Sequence, residues 1–185
     1  MFMAQRAFTM RLSSLLPLAT FALTALLVSP LAQAAPAEVA PVGAPFSLVG
    51  STFNGQGFDL AKQKGRVVMV FYWSTRCAVC RDKLPELRAN LLGWKDKPFE
   101  LVTVSVDRLE ADWRQYEQIQ FSTQASASRR SVALWSGSQS FRHGLGAAPM
   151  KLPLTLVIDA EGKVRQRVEG RMAPEAWDLV ADLLP

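Results

Sequence analysis

The sequence predicts an α/β domain built on a mixed sheet, and three observations carry that expectation. Val67–Trp73 (VVMVFYW) is continuously apolar, β-branched and aromatic, the pattern of a strand buried on both faces. Arg81–Trp94 then sets Leu84, Leu87, Leu91 and Trp94 on one helical stripe, and Leu101–Val106 (LVTVSV) reads as a second strand. Further on, Thr155–Ile158 and Val164–Glu169 flank Asp159-Ala160-Glu161-Gly162, a hairpin-like connection that makes part of the sheet antiparallel.

The other elements follow in order around these. Asn54-Gly55 suggests a tight turn between two short N-terminal strands. After Val106 comes a helix carrying Leu109, Trp113, Tyr116 and Ile119, then a Ser- and Arg-rich stretch, Ser122–Ser131, that reads as loop. Val132–Trp135 has the composition of a short edge strand. Pro174, at a first helical position, opens a last helix with Trp177, Val180, Ala181 and Leu184 on one face. The order β-β, then βαβα, then ββα predicts a mixed sheet with helices on both faces. There is no internal repeat, and no second domain fits.

Residues 1–34 read as a secretory signal. Arg6 and Arg11 give a positive start, Leu12–Val28 is uncharged and mostly apolar, and Ala32-Gln33-Ala34 fits a small-residue cleavage site. At 17 residues the apolar run also reaches the short edge of a spanning helix (about 17–25 residues), so an uncleaved anchor is the alternative. Either way the folded part is expected outside the cytoplasm, in a periplasm-like compartment. Residues 35–45 (APAEVAPVGAP) read as a flexible linker, and 46–185 as the domain.

Composition excludes several classes. Of 185 residues, 49% are hydrophobic and 20% charged, too apolar for a disordered chain. Two cysteines are too few for a disulfide scaffold, and with one histidine they cannot complete an ordinary zinc site. Losing the signal takes Arg6 and Arg11 with it and lowers the formal charge from +5 to +3. The remaining basic residues are interspersed with acids, so a solvated surface is expected rather than a nucleic-acid partner.

The chemistry points to Cys77-Ala78-Val79-Cys80, placed directly after the buried strand and at the start of a helix. Unpaired backbone N–H groups and the helix dipole stabilise an anion in that first turn. Cys77, nearer the tip, is expected to carry the lowered pKa and to attack; Cys80, one turn in, is placed to resolve a mixed disulfide. Arg76, Arg81 and Lys83 add positive charge, and Arg76, Lys83 and Glu86 are candidates for tuning the thiols. A purely structural Cys77–Cys80 disulfide is the bland alternative, but so short a loop constrains the unfolded chain little. A partner-binding module with an inert disulfide remains a third reading. A Cu(I)-handling site is a further one, in which Cys77, Cys80, His143 and Met150 would supply soft ligands. Against it, a lone His in a Gly-rich loop is ordinarily exposed and Met is a common gap-filler, so no metal and no other cofactor is expected.

Several segments resemble the TlpA/ResA-type thioredoxin-like proteins. They are Phe46-Ser47-Leu48, Asn54-Gly55, Phe58-Asp59-Leu60, Lys64–Val68, Phe71–Cys77, Pro85, Val104–Asp107 and Leu152–Asp159 with Gly162. The likeness spans about residues 46–170 and is thin between Phe121 and Met150. It implies a thioredoxin fold with a mixed central sheet, an added N-terminal β-hairpin and a central insertion. It also implies that Pro153 is cis beside the redox-active disulfide, with Leu152, Pro153, Trp73 and Arg76 facing substrate. The implied activity is that of an extracytoplasmic protein-disulfide oxidoreductase with antioxidant activity, working as a monomer and fed by a membrane thiol donor. Cytochrome c maturation or repair of oxidised proteins is the usual setting. Three departures stand out. Arg76 replaces the usual aromatic, Ala78-Val79 contains no proline, and Lys83 and Phe71 occupy positions where relatives carry carboxylates. Asp82 and Glu86 are the nearby candidates for proton acceptor, though each reads first as a surface residue.

Overall fold

The computed structural model describes residues 40–123, 131–149 and 151–184. Within them the chain runs through β1 (Leu48–Ser51), β2 (Gly57–Asp59), a 3-10 turn (Leu60–Gln63), β3 (Val67–Trp73) and α1 (Ala78–Asn90). It continues through β4 (Phe99–Ser105), α2 (Glu110–Thr123), β5 (Val132–Trp135), β6 (Arg142–His143), β7 (Leu154–Ile158), β8 (Val164–Glu169) and α3 (Ala176–Leu183). The expected signal segment, 1–34, lies outside the described residues.

β3 is buried at every position, as its unbroken apolar run requires, and it is the centre of a five-stranded sheet ordered β5-β4-β3-β7-β8. β3, β4 and β5 are parallel; β7 and β8 run antiparallel to their neighbours. The two faces of β3 separate cleanly. Val68, Tyr72 and Val70 belong to one apolar cluster, and Met69, Phe71 and Trp73 to the other. The first cluster is closed by Phe46, Leu48, Phe58 and Phe141, from and around a second sheet ordered β2-β1-β6. The Asn54-Gly55 turn joins β1 to β2, with Gly55 at a positive φ of 79° that favours glycine.

The expected mixed α/β architecture is present, and among the described residues its helices gather on one face of the sheet. The three α-helices among the described residues all contribute to the cluster of Phe71 and Trp73: α1 through Cys80, Leu84 and Leu87, α2 through Trp113, and α3 through Ala176 and Val180. Among the described residues the opposite face carries the 3-10 turn, through Leu60, and no α-helix. The reason is topological. The strands advance from β3 to β4 to β5 in one direction, and right-handed crossovers then put both connecting helices on one side. The return to β7 is made through β6 and a loop, which close the other face.

Two helical stripes also fall differently. In α2 the core-facing residues are Trp113 and Glu117, while Leu109 and Ile119 are about half exposed (49% and 52%). In α3 Ala176 and Val180 are buried and Ala181 is exposed, because Trp177 turns toward Trp94, with ring centroids 6.0 Å apart. The helix α2 runs through Thr123, past the expected loop start at Ser122. The expected linker ends early. Ala40 is buried, Gly43 N–H donates to Val164 O at 2.7 Å, and Pro45 bridges Lys163, so 40–45 lie along β8.

Candidate active site

β3 ends at Trp73, and Ser74-Thr75-Arg76 turn the chain into α1. Cys77 is the N-cap, with extended backbone; its N–H donates to Ser74 O at 3.0 Å and its Sγ accepts from Cys80 N–H at 3.2 Å. Cys77 and Cys80 are joined as a disulfide. Their environments differ: Cys77 is partly exposed, whereas Cys80 is fully buried beneath it against the Trp73 cluster. Pro85, one turn further on, has no N–H to return to Arg81 O, the tolerated break in an otherwise regular helix.

The turn before Cys77 is held by a residue to which the sequence assigns no role. Asp107 is buried at the end of β4, and its carboxylate accepts from Ser74 Oγ (2.6 Å), Thr75 N–H (3.0 Å), Thr75 Oγ1 (2.9 Å) and Ser105 Oγ (2.8 Å). Its carbonyl takes the indole N–H of Trp135 at 2.7 Å. A carboxylate with its lone pairs filled in this way locks both hydroxyl rotors and the backbone of the turn. The signal was present as Val104-Ser105-Val106-Asp107, an acidic residue just past an apolar strand on the same end of the sheet as the cysteines.

The Leu152–Pro153 peptide is cis, and Pro153 is buried. Tyr72 stands opposite Leu154 in the β3–β7 register, which brings Pro153 level with Trp73 and beside the Cys77 turn. Leu152 packs, partly exposed, against the same cluster as Cys77. Trp73, expected to face substrate, is corrected: it is fully buried with its ring 4.7 Å from that of Tyr116, so it packs behind the disulfide. Arg76 is exposed beside Cys77.

Lys83 is corrected as a tuning cation. It is buried to 7% exposure and its Nζ donates to Glu86 Oε1 at 2.6 Å, so each neutralises the other. Glu86 is thereby engaged rather than a free acceptor, while Asp82 is exposed. A fully buried charge pair lies further along α1. Arg88 Nη2 donates to both oxygens of Glu117 at 2.6 and 2.8 Å, with both side chains fully buried, and ties α1 to α2. Burial raises the Glu117 pKa and the Arg88 charge opposes that rise.

His143 is not an exposed loop residue. It lies in β6, half-buried, with Nδ1 3.1 Å from Tyr72 Oη, on the sheet face opposite Cys80; burial lowers its pKa and raises that of Tyr72 far above the phenol range. Met150 lies outside the described residues. Among the described residues no cluster of three His, Cys, Asp or Glu side chains could hold a metal.

Comparison with known proteins fits this arrangement. The chain is 23% identical over 129 residues to the thiol-disulfide oxidoreductase ResA of Bacillus anthracis, covering 70% of this chain and 69% of that protein. To ResA of Bacillus subtilis (strain 168) it is 25% identical over 122 residues, 64% of this chain and 62% of that one. A thiol:disulfide interchange protein of the thioredoxin family from Chlorobium tepidum superposes with a TM-score of 0.58 at 20% identity, over 79% of this chain and 97% of the other. StoA of Bacillus subtilis does so with a TM-score of 0.56 at 16% identity, over 75% and 98%. These structures share the thioredoxin fold with it. The AhpC/TSA family model matches residues 35–167, most of the sequence, and the chain therefore belongs to the AhpC/TSA family.

Proposed function

We propose that the chain is an extracytoplasmic thiol–disulfide oxidoreductase that reduces disulfides in protein substrates. The observation that carries this is the unequal exposure of the two sulfurs: Cys77 is reachable at the helix N-cap and Cys80 is fully buried directly behind it. In the reduced form the Cys77 thiolate faces the first turn of α1, where backbone N–H groups favour an anion. It attacks one sulfur of the substrate disulfide, forming a mixed disulfide and releasing one substrate thiolate. Cys80, once deprotonated, attacks Cys77 Sγ, closes the Cys77–Cys80 disulfide and releases the second substrate thiolate. Two electrons pass to the substrate, and the two protons of the dithiol end on its thiols. A thiol donor held in the membrane returns the pair to the dithiol, and the chain works as a monomer. Leu152 and Pro153, beside the disulfide, and exposed Arg76 are the residues that meet the substrate backbone. The signal-like residues 1–34 and the ResA relatives support placement outside the cytoplasm.

Insulin reduction tests the reading. The wild-type chain accelerates it, Cys77→Ser abolishes it, and Cys80→Ser accumulates a mixed disulfide; full activity of Cys77→Ser would overturn the assignment. Equilibration with glutathione gives the direction. A reductase has a potential near that of thioredoxin (about −270 mV), an oxidant one near that of DsbA (about −120 mV).

A further inference from the structure

The cysteine end of the domain carries an unneutralised cationic rim. Five exposed basic side chains come to it from four separate segments: Arg76 beside Cys77, Arg81 in the first turn of α1, Arg108, Lys151 and Arg171. Arg81 N–H donates to Cys77 O at 3.1 Å. Arg108 follows Asp107, the residue that holds Thr75. Lys151 precedes the Leu152–Pro153 cis peptide, and its Cε lies 3.8 Å from where a side chain on Gly170 would begin. Arg171 follows Gly170, whose N–H donates to Pro153 O at 2.7 Å. None of the five has an ion-pair partner among the described residues. Elsewhere Arg66, Lys83, Arg88, Arg114 and Arg165 are each matched to a carboxylate.

The carboxylates at this end do not cancel the rim. Asp107 is buried beneath four donated hydrogen bonds, and Glu169 is held by Arg167. Asp82 and Asp112 remain; Asp112 lines a cleft of about 240 Å³ with Thr75, Arg81, Tyr116 and half-exposed Ile119. Like charges held close together without partners raise each other's energy, and an anionic partner relieves that.

We propose that this rim selects disulfides lying in acidic polypeptide segments, the flanking Asp and Glu side chains docking on Arg76, Arg81, Arg108, Lys151 and Arg171 beside the partly exposed Cys77. This rests on the exchange reading above and names its substrate class. The occupant is a polypeptide rather than a lipid surface or nucleic acid, because the rim stands at the same end of the sheet as a sulfur whose chemistry requires a partner disulfide. The field both steers encounter and fixes the orientation of attack.

The test uses the pre-reduced chain and three short synthetic peptides, each closed by one disulfide and differing only in flanking Glu, Ser or Lys residues. Each rate of reduction is divided by the rate at which dithiothreitol reduces the same peptide, which removes the peptide's own thiol chemistry. At low salt the acidic peptide is expected to react about tenfold or more faster than the basic one, with the neutral peptide between. At about 1 M salt, where the screening length falls to about 3 Å, the three rates converge. The variant Arg108→Gln/Lys151→Gln/Arg171→Gln brings the acidic-to-neutral ratio toward one. Lys62→Gln/Lys97→Gln/Lys163→Gln, at the far end of the sheet, removes the same three charges, leaves the ratio as in the wild type and controls for net charge. Equal rates for the three peptides, or an equal loss of the ratio in the far-end variant, would overturn the acidic-substrate proposal alone. No reaction with any peptide would overturn the exchange reading and this one with it.

Discussion

The two faces of the central sheet solve the burial of polar groups in opposite ways. On the face of α1, α2 and α3 lie the fully buried Arg88–Glu117 pair, Thr103, Ser105, Asp107 and Thr155, the last with an unpartnered hydroxyl. On the other face the buried cluster of Val68, Val70 and Tyr72 is apolar apart from the Tyr72 hydroxyl paired with His143, and the Arg167–Glu169 pair of β8 lies at its edge. The difference follows from what each face must position. The β2-β1-β6 sheet only has to cover β3, which apolar packing does well. The helical face has to hold a reactive turn and a second helix at defined positions, which directional contacts specify better. The cysteines accordingly sit on the polar face, with Cys80 against Trp73.

Breaking the charge pair is expected to have the largest effect. Glu117→Ala leaves a guanidinium buried without a partner, and the loss of stability is about 3–5 kcal/mol by chemical denaturation. Arg88→Met/Glu117→Leu removes both charges together and returns stability to near wild type. A double variant as unstable as the single one would show that the pair does more than satisfy its own burial. Asp107→Asn comes next. The amide keeps the shape but puts donors where Ser74, Thr75 and Ser105 already donate, at a cost of about 1–3 kcal/mol. Because these bonds hold the turn before Cys77, insulin reduction by this variant is also expected to slow at temperatures where it remains folded. An unchanged rate would reduce Asp107 to a support of β4.

This contrast between faces also separates what the sequence displays from what it hides. Val67–Trp73, the cysteine pair at a strand-to-helix junction and the Thr155–Glu169 hairpin are local patterns, and each appears where its residues predict it. The arrangement of helices on one face is set by the order in which strands join the sheet, which no local pattern carries. The Asp107 and Glu117 contacts join residues about thirty positions apart, so their charges read as surface until the chain is folded. One signal was available. Glu117 falls four residues after Trp113 on the core-facing stripe of α2, and a charge in such a stripe implies a buried partner. Lys83 misled for the converse reason: its place beside the cysteines suggested a free cation, and only packing shows it turned inward onto Glu86.

The apolar face is expected to be the more forgiving. Tyr72→Phe removes one hydrogen bond from a half-buried histidine that can turn to other partners, and the loss is about 1 kcal/mol by denaturation. A loss as large as that of Glu117→Ala would contradict the division between the faces.

The smallest effect is one of pH, and it isolates His143 because the chain has a single histidine. Burial lowers its pKa in the fold below the ordinary value of 6.5, so in the interval beneath that value the unfolded chain binds the proton more readily than the folded one. Stability from this group is fully present above the unfolded pKa and declines as pH falls through the interval toward the folded pKa. Glu100 and Glu117, raised by burial, act with the opposite sign, and they are common to wild type and variant. Denaturation at stepped pH is therefore compared between wild type and His143→Gln. The wild type should lose stability relative to the variant as pH drops below about 6.5, and the two curves should run parallel above it. Parallel curves throughout would mean that the Tyr72–His143 contact tolerates the proton, for instance with the ring donating to Tyr72 Oη instead of accepting from it, and this polar contact within the apolar cluster would then be indifferent to charge.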